Sequence, residues 1–152
     1  MQLQSGVFPV NPDDYSRVVE VWEASVRATH DFVDPADIEI FRAMVRDALP
    51  DVPHLIGVRD DDGQVAGFIG VADDEVAMLF LHPDARGQGA GRRLLSYAIT
   101  QLGATRLDVN EQNPQAVDFY LHMGFEVVGR SELDGTGKPY PLLHLKATPK
   151  SG

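Results

Sequence analysis

Apolar residues recur along the chain with two periods, and the change between them divides it into elements. Residues 6–10 read as a short first strand. Val18, Val19, Trp22 and Val26 then fall at helical spacing behind Asn11-Pro12-Asp13-Asp14, with Asn11 as cap and Pro12 in the first turn. Asp34-Pro35-Ala36-Asp37 predicts a second helix start, followed by Ile38, Phe41, Val45 and Leu49 on one face and ended by Pro50. From His54 the period shortens. His54 to Arg59, Gln64 to Ala72 and Glu75 to His82 are β-rich runs separated by Asp/Gly turns, which predicts an antiparallel meander. Gly67 and Gly70 inside the second run predict a bulge or a close backbone approach.

Helical spacing returns after His82-Pro83. A helix is expected from about Gly89 to Leu102, with Leu94, Leu95, Ala98, Ile99 and Leu102 inward and Gly103 closing it. Ala104 to Val109 reads as a strand. Asn113-Pro114 caps a helix carrying Val117, Phe119, Tyr120 and Leu121, which stops at Gly124. Phe125 to Leu133 and Tyr140 to Ala147 form a last strand pair around Asp134-Gly135-Thr136-Gly137. The order β-α-α-β-β-β-α-β-α-β-β predicts an α/β class, a mixed sheet with helices packed on it. At 152 residues the chain suits one domain, 1–152.

Composition narrows the function. No apolar run approaches the roughly 20 residues that span a bilayer, and no signal-peptide pattern opens the chain, so no membrane partner and a cytoplasmic location are expected. Cysteine is absent, which excludes disulfides, thiolate metal sites and a cysteine nucleophile. The net charge of −10 argues against nucleic-acid binding. The charge is uneven, however. Arg86, Arg92 and Arg93 lie close together in an otherwise acidic chain, which hints at one anionic ligand or simply at a solvated helix face.

The segment that bears on chemistry is a strand, a proline, then Arg86-Gly87-Gln88-Gly89-Ala90-Gly91, then a helix. Glycines remove the Cβ atoms that would keep a ligand off the backbone. A helix N-terminus adds free N–H groups and a partial positive charge. Together they suit a pyrophosphate, with Arg86 and Arg92 as cationic walls; a flexible loop that starts a helix is the plain alternative. A P-loop is excluded, because Gly91 is followed by Arg92-Arg93 where Lys-Ser/Thr would be required. A dinucleotide fold is rejected as well. The glycines read G-x-G-x-G, and Pro83 to Arg86 separates them from the strand, although Asp108 sits near the distance of a ribose-binding acid.

Arg86 to Gly91 fits the Q/R-x-x-G-x-G/A signature, and Asn113-Pro114-Gln115-Ala116-Val117-Asp118-Phe119-Tyr120 with Met123-Gly124-Phe125 fits the block N-x-x-A-x-x-F-Y-x-x-x-G-F. In these two motifs, their spacing and the element order, the chain resembles the GNAT (GCN5-related) N-acetyltransferase superfamily. Its tail, from Gly129 to Glu132 and from Tyr140 to Leu145, resembles a small bacterial subgroup of largely uncharacterised acetyltransferases.

That resemblance implies an acetyl-CoA site without a metal. Leu79, Phe80 and Leu81 match the splayed strand that pairs with the pantetheine arm. Gly87, Gln88, Gly89, Ala90, Gly91 and Arg92 match the pyrophosphate cradle, with Arg86 beside it, and Asn113 matches a ligand of the cofactor arm as well as a helix cap. Tyr120 matches the general acid that protonates the departing thiolate, though a buried core tyrosine would show the same pattern. Backbone N–H groups on the splayed strand would stabilise the oxyanion. His30 and Asp108 are the candidates for acceptor binding or a general base, with His82 and His144 behind them, and a water chain is the alternative. Arg27, His30 and Asp31, in the Trp22 to Phe32 segment, form a polar mixture suited to reading an acceptor.

The expected function is direct acetyl transfer to a primary amine in a ternary complex, on a small-molecule or peptide acceptor, with room for a homodimer. A non-catalytic acyl-CoA sensor is the alternative, and a longer or acidic acyl donor a third reading.

Overall fold

The computed structural model describes residues 1–148, and among them places seven strands and four α-helices in the predicted order. The chain divides into two compact units, residues 1–104 and residue 105 onward.

In the first unit β1 (Phe8–Pro9), β2 (His54–Arg59), β3 (Val65–Ala72) and β4 (Glu75–Leu81) are antiparallel neighbours in that order. The first strand is shorter than residues 6–10. Gly6 turns the chain with φ +85°, and Pro9 has no N–H to extend the ladder. Val65 to Val71 are buried without a break. Successive strand residues point to opposite faces, so both faces of β3 must be covered. α1 (Tyr15–Thr29) and α3 (Ala90–Leu102) both pack against β3 and supply that cover, while α2 (Pro35–Ala48) packs on α1. Asp34 caps α2 through its carboxylate, which accepts from the Ala36 N–H at 2.8 Å.

Both expectations for the strand glycines are met. The β3–β4 register shifts between Gly70 and Val71, leaving Ala77 as the extra residue of a bulge in β4. At Gly67 the Leu81 side chain occupies the space a Cβ would need. A Cβ there would displace the tip of the Leu81 side chain and crowd the Phe80 backbone carbonyl, 3.3 Å away, just before the glycine loop.

In the second unit β5 (Arg106–Asn110), β7 (Leu142–Ala147) and β6 (Phe125–Ser131) lie side by side, antiparallel, in that spatial order. Leu107, Val109, Leu145 and Phe125 are buried, and α4 (Pro114–His122) packs on β5 and β6. β7 starts at Leu142 rather than Tyr140, because the Tyr140 N–H closes a tight turn onto the Lys138 carbonyl at 2.8 Å.

Candidate active site

The connection from β4 to α3 is built to leave its backbone donors free. His82 ends the strand region with its N–H on the Ala66 carbonyl at 2.8 Å, and its Nδ1 accepts from the Asp84 N–H at 3.1 Å. A short 3-10 turn over Pro83–Ala85 follows, closed by the Ala85 N–H on the His82 carbonyl at 2.9 Å. Gly87 and Gly89 then both adopt φ +78°, a left-handed backbone that other residues enter only with strain. Among the described residues, no backbone N–H from Gly87 to Arg92 donates to any acceptor of the chain; the first hydrogen bond of the new helix is Arg93 N–H to Gly89 O at 2.9 Å. The loop is exposed from Arg86 to Gly89, and no atom lies within 4 Å of where a Cβ would stand on Gly87 or Gly89. Unpaired, accessible amides at the positive end of a helix dipole have the chemistry that suits an anion.

The flanking cations differ in role. Arg93 is committed to the fold, since its guanidinium donates to the carbonyls of Gln4 at 2.9 Å and Gly6 at 3.1 Å. Arg86 and Arg92 are exposed and form no ion pair among the described residues, so their charge is not neutralised within the described fold. The Gln88 side chain is also committed, donating to the Met1 carbonyl at 2.6 Å, so only its backbone N–H is left free. Leu79, Phe80 and Leu81 stand on β4 opposite Ile69, Phe68 and Gly67. Phe80 meets Trp22 edge-on at 6.4 Å and Phe68 at 5.9 Å, so aromatic packing fixes the strand at this point.

His30 follows α1 in a setting that fixes its proton. The Thr29 hydroxyl donates to the Ser25 carbonyl at 2.7 Å. Its one hydrogen being spent, Thr29 Oγ1 faces His30 Nδ1 at 2.7 Å as an acceptor. Nδ1 therefore carries the imidazole hydrogen and Nε2 holds a free lone pair. Burial lowers the His30 pKa below its usual 6.5, the Arg86 charge lowers it further, and Asp31 opposes both. At neutral pH the ring is an uncharged base within the field of the cradle's arginine. Arg27 is already engaged, pairing with Glu23 at 3.2 Å and Glu39 at 3.4 Å, and so is a poor reader of an acceptor.

In the second unit Asn113 takes the capping role, its Oδ1 accepting from the Ala116 N–H at 3.3 Å. Its amide N–H2 has no partner among the described residues. Tyr120 lies on α4 with 8% of its surface exposed, its ring edge-on to Phe119 at 5.3 Å and Phe125 at 6.0 Å. Its hydroxyl has no hydrogen-bond partner among the described residues, yet no sealed side-chain polar atom is left unpaired there. The oxygen thus keeps an opening. Burial alone pushes its pKa well above the usual 10.0, so at neutral pH it carries its proton and has it to donate. The backbone partner that would mark a purely structural tyrosine is missing.

Asp108 is not free. Its Oδ1 sits 2.6 Å from His144 Nδ1, and His144 Nε2 sits 2.7 Å from Ser131 Oγ. The sequence placed Asp108 among the bases and His144 behind it, and singled out Ser131 for no role. Nothing in their spacing signals the pairing, because they stand 36 and 13 residues apart and meet only through the β5–β7–β6 register.

Residues 26–138 match the family model for the acetyltransferase (GNAT) domain. The chain belongs to the GNAT family. A peptidyl-lysine N-acetyltransferase of Salmonella typhimurium, YjaB, is 44% identical over 133 residues, covering 88% of this chain and 91% of its own. The solution structure of apo YjaB from Escherichia coli superposes with a TM-score of 0.86 at 38% identity, over 97% of this chain and 99% of that one. The PaiA N-acetyltransferase of Thermoplasma acidophilum, solved in complex with coenzyme A, shares the fold with a TM-score of 0.72 at 21% identity, over 97% and 100% of the two chains. The protein is a GNAT N-acetyltransferase, as its two sequence motifs implied. Among the described residues no helix is long and apolar enough to cross a membrane, and no cluster of three metal-ligating side chains occurs.

Proposed function

We propose that this GNAT enzyme transfers acetyl from acetyl-CoA directly to the ε-amine of lysine in peptides or proteins. One observation carries the acceptor: the Salmonella relative, 44% identical over nearly its whole length, acts on peptidyl-lysine. The net charge of −10 is consistent with it, since an acidic surface draws a cationic side chain toward the enzyme.

The free amides from Gly87 to Arg92 and the unpaired Arg86 and Arg92 fit the diphosphate of CoA. Acetyl-CoA supplies the thioester carbonyl that an amine attacks and the thiolate that leaves. His30 Nε2, held as a free lone pair, takes the proton an ammonium must lose before it attacks. Tyr120, kept protonated by burial, donates to the leaving sulfur. Asn113 uses its amide N–H2 on the cofactor arm while its oxygen caps α4. Without a cysteine, direct transfer in a ternary complex is the simplest route.

His30 gives a signed prediction. A diphosphate beside Arg86 neutralises one of the two causes that lower the His30 pKa. CoA should therefore raise that pKa toward 6.5 without abolishing the effect of burial, as followed by the ring-proton shifts of His30 against pH. No change, or a further fall, would separate His30 from the cradle.

The acceptor is tested with acetyl-CoA and paired peptides, one with lysine and a blocked N-terminus, the other with arginine in its place. Mass spectrometry should place acetyl on the lysine Nε of the first peptide and nothing on the second. Acetylation confined to α-amines or small amines would overturn the acceptor but keep the enzyme. Competition among acetyl-, propionyl- and succinyl-CoA should favour acetyl.

A further inference from the structure

We propose that Ser131, His144 and Asp108 form a second acyl-transfer centre, in which Ser131 is the nucleophile toward small activated esters. The three residues come from three adjacent strands, and the sheet register sets their order. Asp108 stands opposite His144 across β5 and β7, and His144 opposite Gly129 across β7 and β6. Gly129 makes room for the ring: a Cβ there would lie 3.3 Å from His144 Cδ2.

The hydrogen bonds run in the direction such a centre needs. A carboxylate only accepts, so Asp108 Oδ1 at 2.6 Å holds the ring hydrogen on Nδ1. Nε2 is then the acceptor, and the Ser131 hydroxyl donates to it at 2.7 Å. The chain base–imidazole–hydroxyl is recognised by these roles rather than by position in the sequence. His144 and Asp108 keep 37% and 41% of their side-chain surface exposed, so a substrate can reach the row. β6 is the last strand in its row, so among the described residues alternate N–H groups on its outer edge are not taken by a ladder.

In the step itself, Ser131 Oγ attacks the ester carbonyl while its proton passes to His144 Nε2. The tetrahedral adduct collapses, the bond to the leaving oxygen breaks, and His144 returns the proton to the departing alcohol. Water then attacks acyl-Ser131 with the same proton traffic and releases the acid. No oxidant, metal or CoA enters, so this chemistry is distinct from the amine transfer.

The test uses the full chain without CoA and p-nitrophenyl acetate as probe, followed by p-nitrophenolate release and peptide mass spectrometry. Acetyl is expected on Ser131, with formation slowed roughly a hundredfold in His144→Ala. Added imidazole should restore part of that rate, which a purely structural histidine would not show. Asp108→Asn should slow the step while thermal unfolding stays cooperative. If His144→Ala does not fold, His144→Gln keeps a polar side chain in the row and must show the same loss. Ser131→Ala should keep acetyl transfer from acetyl-CoA to amines. Acylation of Ser131 at equal rates with and without His144, or label spread evenly over other surface hydroxyls, would overturn the proposal. Joint loss of both activities in Ser131→Ala would overturn a separate centre.

Discussion

Tyr120→Phe should lower kcat for amine acetylation by about a hundredfold or more, while CoA affinity changes little. The substitution deletes one oxygen and leaves the edge-on contacts of the ring with Phe119 and Phe125 in place. No hydrogen bond within the described residues is lost with that oxygen, so stability should hold. Steady-state kinetics and a binding titration on the same preparation separate the two effects. The pH dependence adds a second check. Because burial raises the Tyr120 pKa above 10.0, the wild-type rate should show no alkaline fall from this group up to that pH. Unchanged turnover in Tyr120→Phe would return Tyr120 to the core and leave the thiolate without a donor.

The second large effect is expected at Gly89. Its φ of +78° means any side chain there strains the backbone, at a cost of about 1 kcal/mol. Space is not the obstacle, since nothing lies within 4 Å of the position a Cβ would take. Gly89→Ala therefore isolates the backbone strain, and Gly89→Glu adds a carboxylate to it. That carboxylate would sit at the N-terminus of α3, where negative charge is favourable to the helix and competes with phosphate for the same amides. Gly89→Glu should thus bind every CoA ester at least roughly tenfold more weakly than Gly89→Ala, without being less stable than it. The difference should shrink in high salt, as screened charges require. Equal affinities in the two variants, measured by calorimetry, would remove the diphosphate from this loop.

These effects rest on residues the sequence could identify because their signals are local. A glycine that must turn left-handed, a proline behind a capping asparagine and an apolar face at helical spacing each act within a few residues. That is why α3, α4 and the caps at Asp34 and Asn113 were legible. Gly67 and Gly70 were legible for the same reason, as residues out of place in a strand. The ends of β1 and β7 were not, since they depend on which N–H groups find partners across the sheet.

The site divides along the same line. The proposed cradle from Arg86 to Arg92 lies in one continuous segment, and its glycine turns and free amides are readable from it. The roles of Arg92 and Arg93 are not, because the carbonyls of Gln4 and Gly6 that hold Arg93 are 89 and 87 residues away in sequence. Likewise, the free lone pair of His30 follows from the hydroxyl hydrogen of Thr29 going to Ser25, which no pattern announces. The row of Asp108, His144 and Ser131 exists only once three strands are in register.

The most direct measurement is a titration of the 15N-labelled protein with CoA, followed amide by amide. The N–H signals of Gly87 through Arg92 should shift first and most, saturating together with a single affinity. CoA that fails to bind, or that binds while those amides stay unmoved, would contradict the diphosphate cradle on which the account of this enzyme stands.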